Sequence, residues 1–111
     1  MKIAVASNGL DVAQTFAQCQ NFSYYATHSY HISATQNIPA QGSTPEEYAE
    51  LLGRIGVETL LAGEVTPAAT EAFQNAGIQL IAGISGRATD AARAYVAQRA
   101  AELDSSEEEE D

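Results

Sequence analysis

Basic residues are scarce in this chain. Five lysines and arginines stand against 15 acids, for a formal net charge of −10. Lys2, Arg54, Arg87, Arg93 and Arg99 are scattered along the sequence. Holding a phosphate backbone takes clustered cations, so no nucleic-acid partner is expected. Cysteine is nearly missing as well: Cys19 stands alone. No internal disulfide can form, and a reducing cytoplasm is the expected compartment. Long apolar runs are absent from the start of the chain, where the run after Lys2 breaks at Ser7 and Asn8. That is too short for a secretory leader or a membrane span.

The familiar catalytic signatures are missing too. There is no GxSxG elbow, no Walker loop and no GxGxxG. The first strand-like run carries no acid, so the carboxylate cluster of a metal-dependent nuclease has no anchor. Neither CxxC nor HExxH spacing occurs. Cys19, His28 and His31 are the whole stock of thiol and imidazole. A structural zinc site needs four nitrogen or sulfur ligands and a catalytic one three. A preassembled cluster that brings its own sulfides needs one or two, and two chains could pool theirs. A nucleophilic pairing of Cys19 with His28 or His31 has no third group in the sequence to orient it.

What remains is a single-domain chain of 111 residues, 45% hydrophobic. Lys2 to Ala6 reads as a buried strand, closed by a Ser7-Asn8-Gly9 turn. Phe22 to Ala26 and Tyr30 to Thr35 read as a hairpin. If Ser29-Tyr30 is its turn, His28 and His31 face one another across the strands. Asn37 to Ser43 reads as a loop. Thr44-Pro45-Glu46-Glu47 announces a capped helix that stops at Gly56. The pattern repeats: strand Glu58 to Ala62, helix from Thr66-Pro67 to Gly77, strand Ile78 to Ile81, and a last helix from about Ala88 to Glu102. The order β-β-β-α-β-α-β-α predicts an α/β fold with a partly parallel sheet and right-handed crossovers. Six acids crowd into Asp104 to Asp111, so residues 103–111 read as an acidic tail on a domain spanning 1–102.

In such sheets ligands sit beyond the carboxyl ends of parallel strands. Three loops should meet there, carrying Ser7 and Asn8, Gly63 and Thr66, and Ser85 and Gly86. Two lead into helix N-termini, which favour anions; the glycines also serve simply to close tight turns. Glu64 opposes an anion at this edge, or supports the first turn of its helix. Cys19 offers a soft metal ligand, with packing against Phe16 and Phe22 as the structural alternative.

Three stretches together resemble the dinitrogenase iron–molybdenum cofactor biosynthesis family: "MKIAVASNG", "GVETLLAGEVTPAATEAFQNAGIQL" and "GISGRATDAARAYV". The likeness spans about residues 1–99. It implies a three-layer ribonuclease H-like fold without nuclease activity, whose five-stranded mixed sheet has order 3-2-1-4-5 with strand 2 antiparallel. Family members bind or carry iron–molybdenum cofactor or its precursors, and the related orange proteins hold a molybdenum–copper sulfide cluster. The resemblance therefore implies a non-enzymatic carrier of a molybdenum/iron or molybdenum/copper sulfide cluster, with cluster donor or acceptor proteins as partners. Where the family commonly has a His-Phe-Gly-Arg-like stretch, this chain has Thr15-Phe16-Ala17-Gln18, followed by Cys19. Arg87 takes a position where the last helix often has a threonine cap. The expected cluster contacts are Ser7, Asn8, Cys19, Gly63, Thr66, Ser85 and Gly86, with Cys19, His28 and His31 as candidate metal ligands. Two other functions stay open: an interaction module that has lost its cluster, and a small enzyme acting on an anionic metabolite.

Overall fold

The structure, a computed structural model, describes residues 1–42 and 44–110, with side chains described as far as Glu102. The strands are β1 (Lys2–Asn8), β2 (Asp11–Val12), β3 (Asn21–His28), β4 (His31–Pro39), β5 (Thr59–Leu61) and β6 (Gln79–Ile81). The helices are α1 (Pro45–Arg54), α2 (Pro67–Asn75) and α3 (Ala88–Glu110). The side chains of the acidic segment 103–111 lie outside those described.

The sheet runs β4-β3-β1-β5-β6, with β2 attached to β1. β1, β5 and β6 are parallel, and β3 is antiparallel to both of its neighbours. With β2 set aside, this is the expected order, and the second long strand is the antiparallel one. Three local expectations need correcting. The turn after β1 falls at Gly9 and Leu10, not at Ser7, because the chain doubles back at once and pairs Ser7 with Val12 and Asn8 with Asp11. Residues Asn37 to Pro39 extend β4 instead of forming a loop, since Ile38 sits opposite Phe22 and packs on the core. The last helix also continues past Glu102, through a glutamate-rich run with good helix propensity.

The helix starts follow from their caps. Thr44 accepts from the Glu47 N–H at 3.2 Å while Glu47 reaches back to the Thr44 N–H at 3.1 Å. Thr66 accepts from the Ala69 N–H at 3.2 Å. Each cap is followed by proline at the first helical position, where a missing N–H costs nothing.

Burial splits the core into two layers, one on each face of the sheet. Ala4, Ala6, Phe22 and Leu60 face α1 and α2, where Phe16, Tyr48 and Phe73 complete an aromatic cluster. Phe16 meets both Tyr48 and Phe73 edge-on, at ring-centre distances of 5.9 and 5.6 Å, the arrangement the ring quadrupoles favour. Ile3, Val5, Tyr25 and Leu61 face α3, which buries Ala88, Ala92 and Val96 at a spacing of four. β1 is therefore buried on both sides from Ile3 to Ser7, while most of β4 is exposed.

Candidate functional site

β1, β5 and β6 all end on one edge of the sheet, and that edge is sewn together by backbone. The Ala13 N–H donates to the Ala6 oxygen at 2.9 Å, and the Phe16 N–H donates to the Glu64 oxygen at 2.8 Å. The Glu64 N–H returns a bond to the Gln14 oxygen at 2.8 Å. Gly83 and Ile84 donate to the Gly63 and Ala62 oxygens at 3.0 and 2.9 Å. The Val12 N–H reaches the Gly86 oxygen at 2.8 Å, and the Ala88 N–H reaches the Leu10 oxygen at 2.9 Å. The chain thus satisfies many of the amides that sequence reasoning left open for a ligand.

A cleft of about 540 Å³ persists between these loops, lined by Gln14, Gly63, Glu64, Val65, Ala82, Gly83, Ile84 and Ser85. Two of the expected contacts, Gly63 and Ser85, line it. Asn8, Cys19, Thr66 and Gly86 lie on the same sheet edge. The start of α2 at Thr66 and the start of α3 beside Arg87 bring two positive helix ends and one exposed cation here. The exposed Glu64 carboxylate opposes them.

Not every expected contact faces that cleft. Ser7 is fully buried, its hydroxyl donating to the Val5 oxygen at 2.9 Å and sharing a 3.0 Å bond with Ser23. The Asn8 amide oxygen accepts from the Gln20 N–H at 3.1 Å. A Cβ on Gly63 would collide with the Ala13 and Gln14 carbonyl oxygens. Its missing side chain admits this chain's own backbone, not a ligand. The Thr66 hydroxyl caps α2.

Cys19 follows a single turn of 3-10 helix, Phe16–Gln18, and donates its N–H to the Phe16 oxygen at 3.2 Å. It is half-buried and packs on the cluster that holds Phe16 and Phe22. Burial pushes its thiol up to about 11, with the backbone hydrogen bond pulling weakly the other way. The group is a neutral thiol at pH 7 and becomes a ligand only when a metal displaces its proton.

His28 and His31 pair directly across β3 and β4. They flank Ser29 and Tyr30, which turn the chain at φ 51 and 63. This is the arrangement their spacing predicts. The hairpin tip lies at the opposite end of the sheet from Cys19, however. β3 separates them by roughly 20 Å or more at ~3.4 Å per residue, so the three cannot share one ion within a chain. Among the described residues no group of three or more His, Cys, Asp or Glu is placed to hold a metal ion. A bare ion lacks a ligand set at the carboxyl edge, whereas a cluster carrying its own sulfides needs only one thiol.

Sequence reasoning missed a second concavity. A groove of about 620 Å³ runs over the β3–β4 half of the sheet on the α3 side. Asn21, Ser23, Tyr25, Thr35 and Asn37 form its floor, with Gly9, Leu10 and Thr89 at its rim. Asn21 exchanges hydrogen bonds with the Gly9 backbone at 2.8 and 3.1 Å and donates to the Asn37 oxygen at 2.7 Å. The Tyr25 hydroxyl lies 3.1 Å from that of Thr89. None of the lining residues is charged. The signal was present as a polar alternation, Asn21-Ser23 against Thr35-Asn37, but polar alternation on a strand ordinarily marks a solvent face.

Comparison with known proteins fits this geometry. The family model described as "Dinitrogenase iron-molybdenum cofactor" matches residues 1–98. A "putative NifB protein" from Thermotoga is 26% identical over 85% of each chain, with a TM-score of 0.68. The apo orange protein of Desulfovibrio gigas is 27% identical over 78% of each chain, at 0.64. A "putative dinitrogenase" from Methanococcus jannaschii shares the fold at 0.73 with 14% identity, over 89% of each chain. No curated protein sequence matches significantly.

Proposed function

The chain belongs to the dinitrogenase iron–molybdenum cofactor family, and from that premise we propose that it binds a metal–sulfur cluster as cargo, without catalysing a reaction on it. The observation that carries this reading is the cleft at the carboxyl edge. It lies where β1, β5 and β6 end, and Gly63 and Ser85 line it, with the sole thiol of the chain on the same edge. An anionic cluster gains there from the two helix starts and from Arg87. Cys19 supplies one soft ligand and gives up its proton when it binds. The contact set reduces to Ser85 and the backbone around Gly63, which line the cleft, with Cys19 and Gly86 on the same edge; Asn8 and Thr66 are engaged within the chain and Ser7 is a buried support. Donor and acceptor proteins for the cluster are the partners this role requires, and the cytoplasm is its compartment. Within the described residues no helix is long and apolar enough to cross a membrane.

The experiment is anaerobic purification after expression with molybdate, iron and copper, followed by elemental analysis. Wild type should retain metal and sulfide, and Cys19→Ser should lose most of both. Wild type with no more metal than Cys19→Ser sinks the thiol as ligand. One observation favours the interaction-module reading instead: the edge amides of Phe16, Glu64, Gly83 and Ile84 are already bonded within the chain. That reading predicts a metal-free protein from the same preparation.

A further inference from the structure

β4 is an edge strand, and nine of its residues lie in the sheet with no described strand on the far side. Its sequence, HISATQNIP, contains no Asp, Glu, Lys or Arg. Charged residues are the usual device that keeps such an edge from pairing. Two other devices are present, one at each end. A bulge between Ala26 and Thr27 of β3 leaves Ser33 unpaired, and Pro39 has no N–H to give.

Between these stops the backbone directions can be read. The Ala40 N–H donates inward to the Gln20 oxygen at 2.9 Å. Backbone groups alternate along a strand, so Ile38, Gln36 and Ala34 also direct theirs toward β3. Thr35, Asn37 and Pro39 direct theirs outward. Only Thr35 and Asn37 offer both an N–H and a C=O to a newcomer.

We propose that this edge pairs with β4 of a second copy of the chain, antiparallel, about a two-fold axis through Gln36. In that register Thr35 meets the partner's Asn37 and Asn37 meets the partner's Thr35, and every outward N–H and C=O between the two stops is satisfied. Ser33 of the bulge falls opposite the partner's Pro39, so the two positions unable to pair face each other. Shifting the axis to Thr35 sets Asn37 against the bulge, and shifting it to Asn37 sets Thr35 against the proline that lacks a donor. The same stops that block longer pairing therefore select one register. On the α1–α2 face the half-buried Ile38 gains the partner's Ala34. On the α3 face the uncharged grooves of the two copies become neighbours across the axis. No like charges meet on the strand itself, although each chain carries −10. The inference is independent of cluster binding.

The test uses the full chain in a Cys19→Ser background. Wild-type-like protein should show a concentration-dependent doubling of mass by sedimentation. Gln36→Cys should oxidise to a disulfide-linked dimer, because residues facing across a two-fold in a non-hydrogen-bonded pair stand about 4.5 Å apart. Thr35→Cys, which faces Asn37 and not itself, should link far more slowly. Gln36→Lys sets two ammonium groups side by side and should abolish the doubling while leaving unchanged the thermal midpoint read at concentrations below the onset of doubling. A monomer at the highest soluble concentration overturns the proposal. So does cross-linking of Thr35→Cys as fast as that of Gln36→Cys, or a dimer that Gln36→Lys leaves intact.

Discussion

The two halves of this sheet share one backbone ladder and obey different rules. The inner half, β1 with β5 and β6, is parallel and covered on both faces, so its side chains are apolar on both: Ala4 and Leu60 toward α1 and α2, Val5 and Leu61 toward α3. The outer half, β3 with β4, is antiparallel and packs mainly on the α1–α2 core, with only Tyr25 and Ile32 reaching the α3 core. Phe22 and Ile38 point into the α1–α2 core, while Asn21, Ser23, Thr35 and Asn37 line the opposite groove. Most of the buried side chains of the sheet lie in the inner half. The outer half has polar chemistry to offer because packing asks little of it.

Mutations should separate the halves sharply. Leu60→Ala empties a fully buried site and should cost about 2–5 kcal/mol, read by urea unfolding. Thr35→Ala, on the exposed outer strand, should stay within about 0.5 kcal/mol. Equal costs would erase the distinction. Gly63→Ala tests the seam at the edge of the inner half. The new methyl group would strike the Ala13 and Gln14 oxygens and should cost roughly 1–3 kcal/mol, with chemical shifts moving along residues 13–16. The outer half should instead be improvable. Tyr30 sits at φ 63 in the β3–β4 turn, where a side chain costs roughly 1–2 kcal/mol. Tyr30→Gly should therefore raise stability by something near 1 kcal/mol after the entropy of glycine is counted. The mildest probe is pH. The folded Cys19 thiol ionises near 11 while the unfolded one ionises near 9. The native chain keeps a proton that the unfolded chain releases, so stability should fall as pH rises between these values. Cys19→Ser should remove that decline, and a variant that declines equally would place its cause elsewhere.

The helices were legible because their signals are local. Thr44-Pro45-Glu46-Glu47 and Thr66-Pro67 carry their own caps within four residues. The strands β1 and β5 were legible because double burial makes them largely apolar, and β6 because Leu80-Ile81 follows the Gly77 helix stop. The sheet order was implied by resemblance to a family, since nothing local states which strand lies beside which. The site was harder to read. Gly63 suggested room for a ligand, but the atoms that fill its open side belong to Ala13 and Gln14, some 50 positions earlier, and no pattern around Gly63 mentions them. Ser7 suggested an open turn, but the return of β2 buries it. The groove over Asn21 and Asn37 went unnoticed because its polarity matches that of an ordinary wet strand. It becomes a concavity only where Leu10 and Thr89 rise beside it.

The reciprocal bonding at Glu64 has a temporal consequence. Its N–H is held by Gln14 and its carbonyl holds the N–H of Phe16, so neither amide can be released while the other half of the clasp stays shut. In deuterated solvent the Phe16 and Glu64 protons should disappear with one common rate, lagging behind other surface loops. Any cargo that settles into the neighbouring cleft should slow the two clocks together.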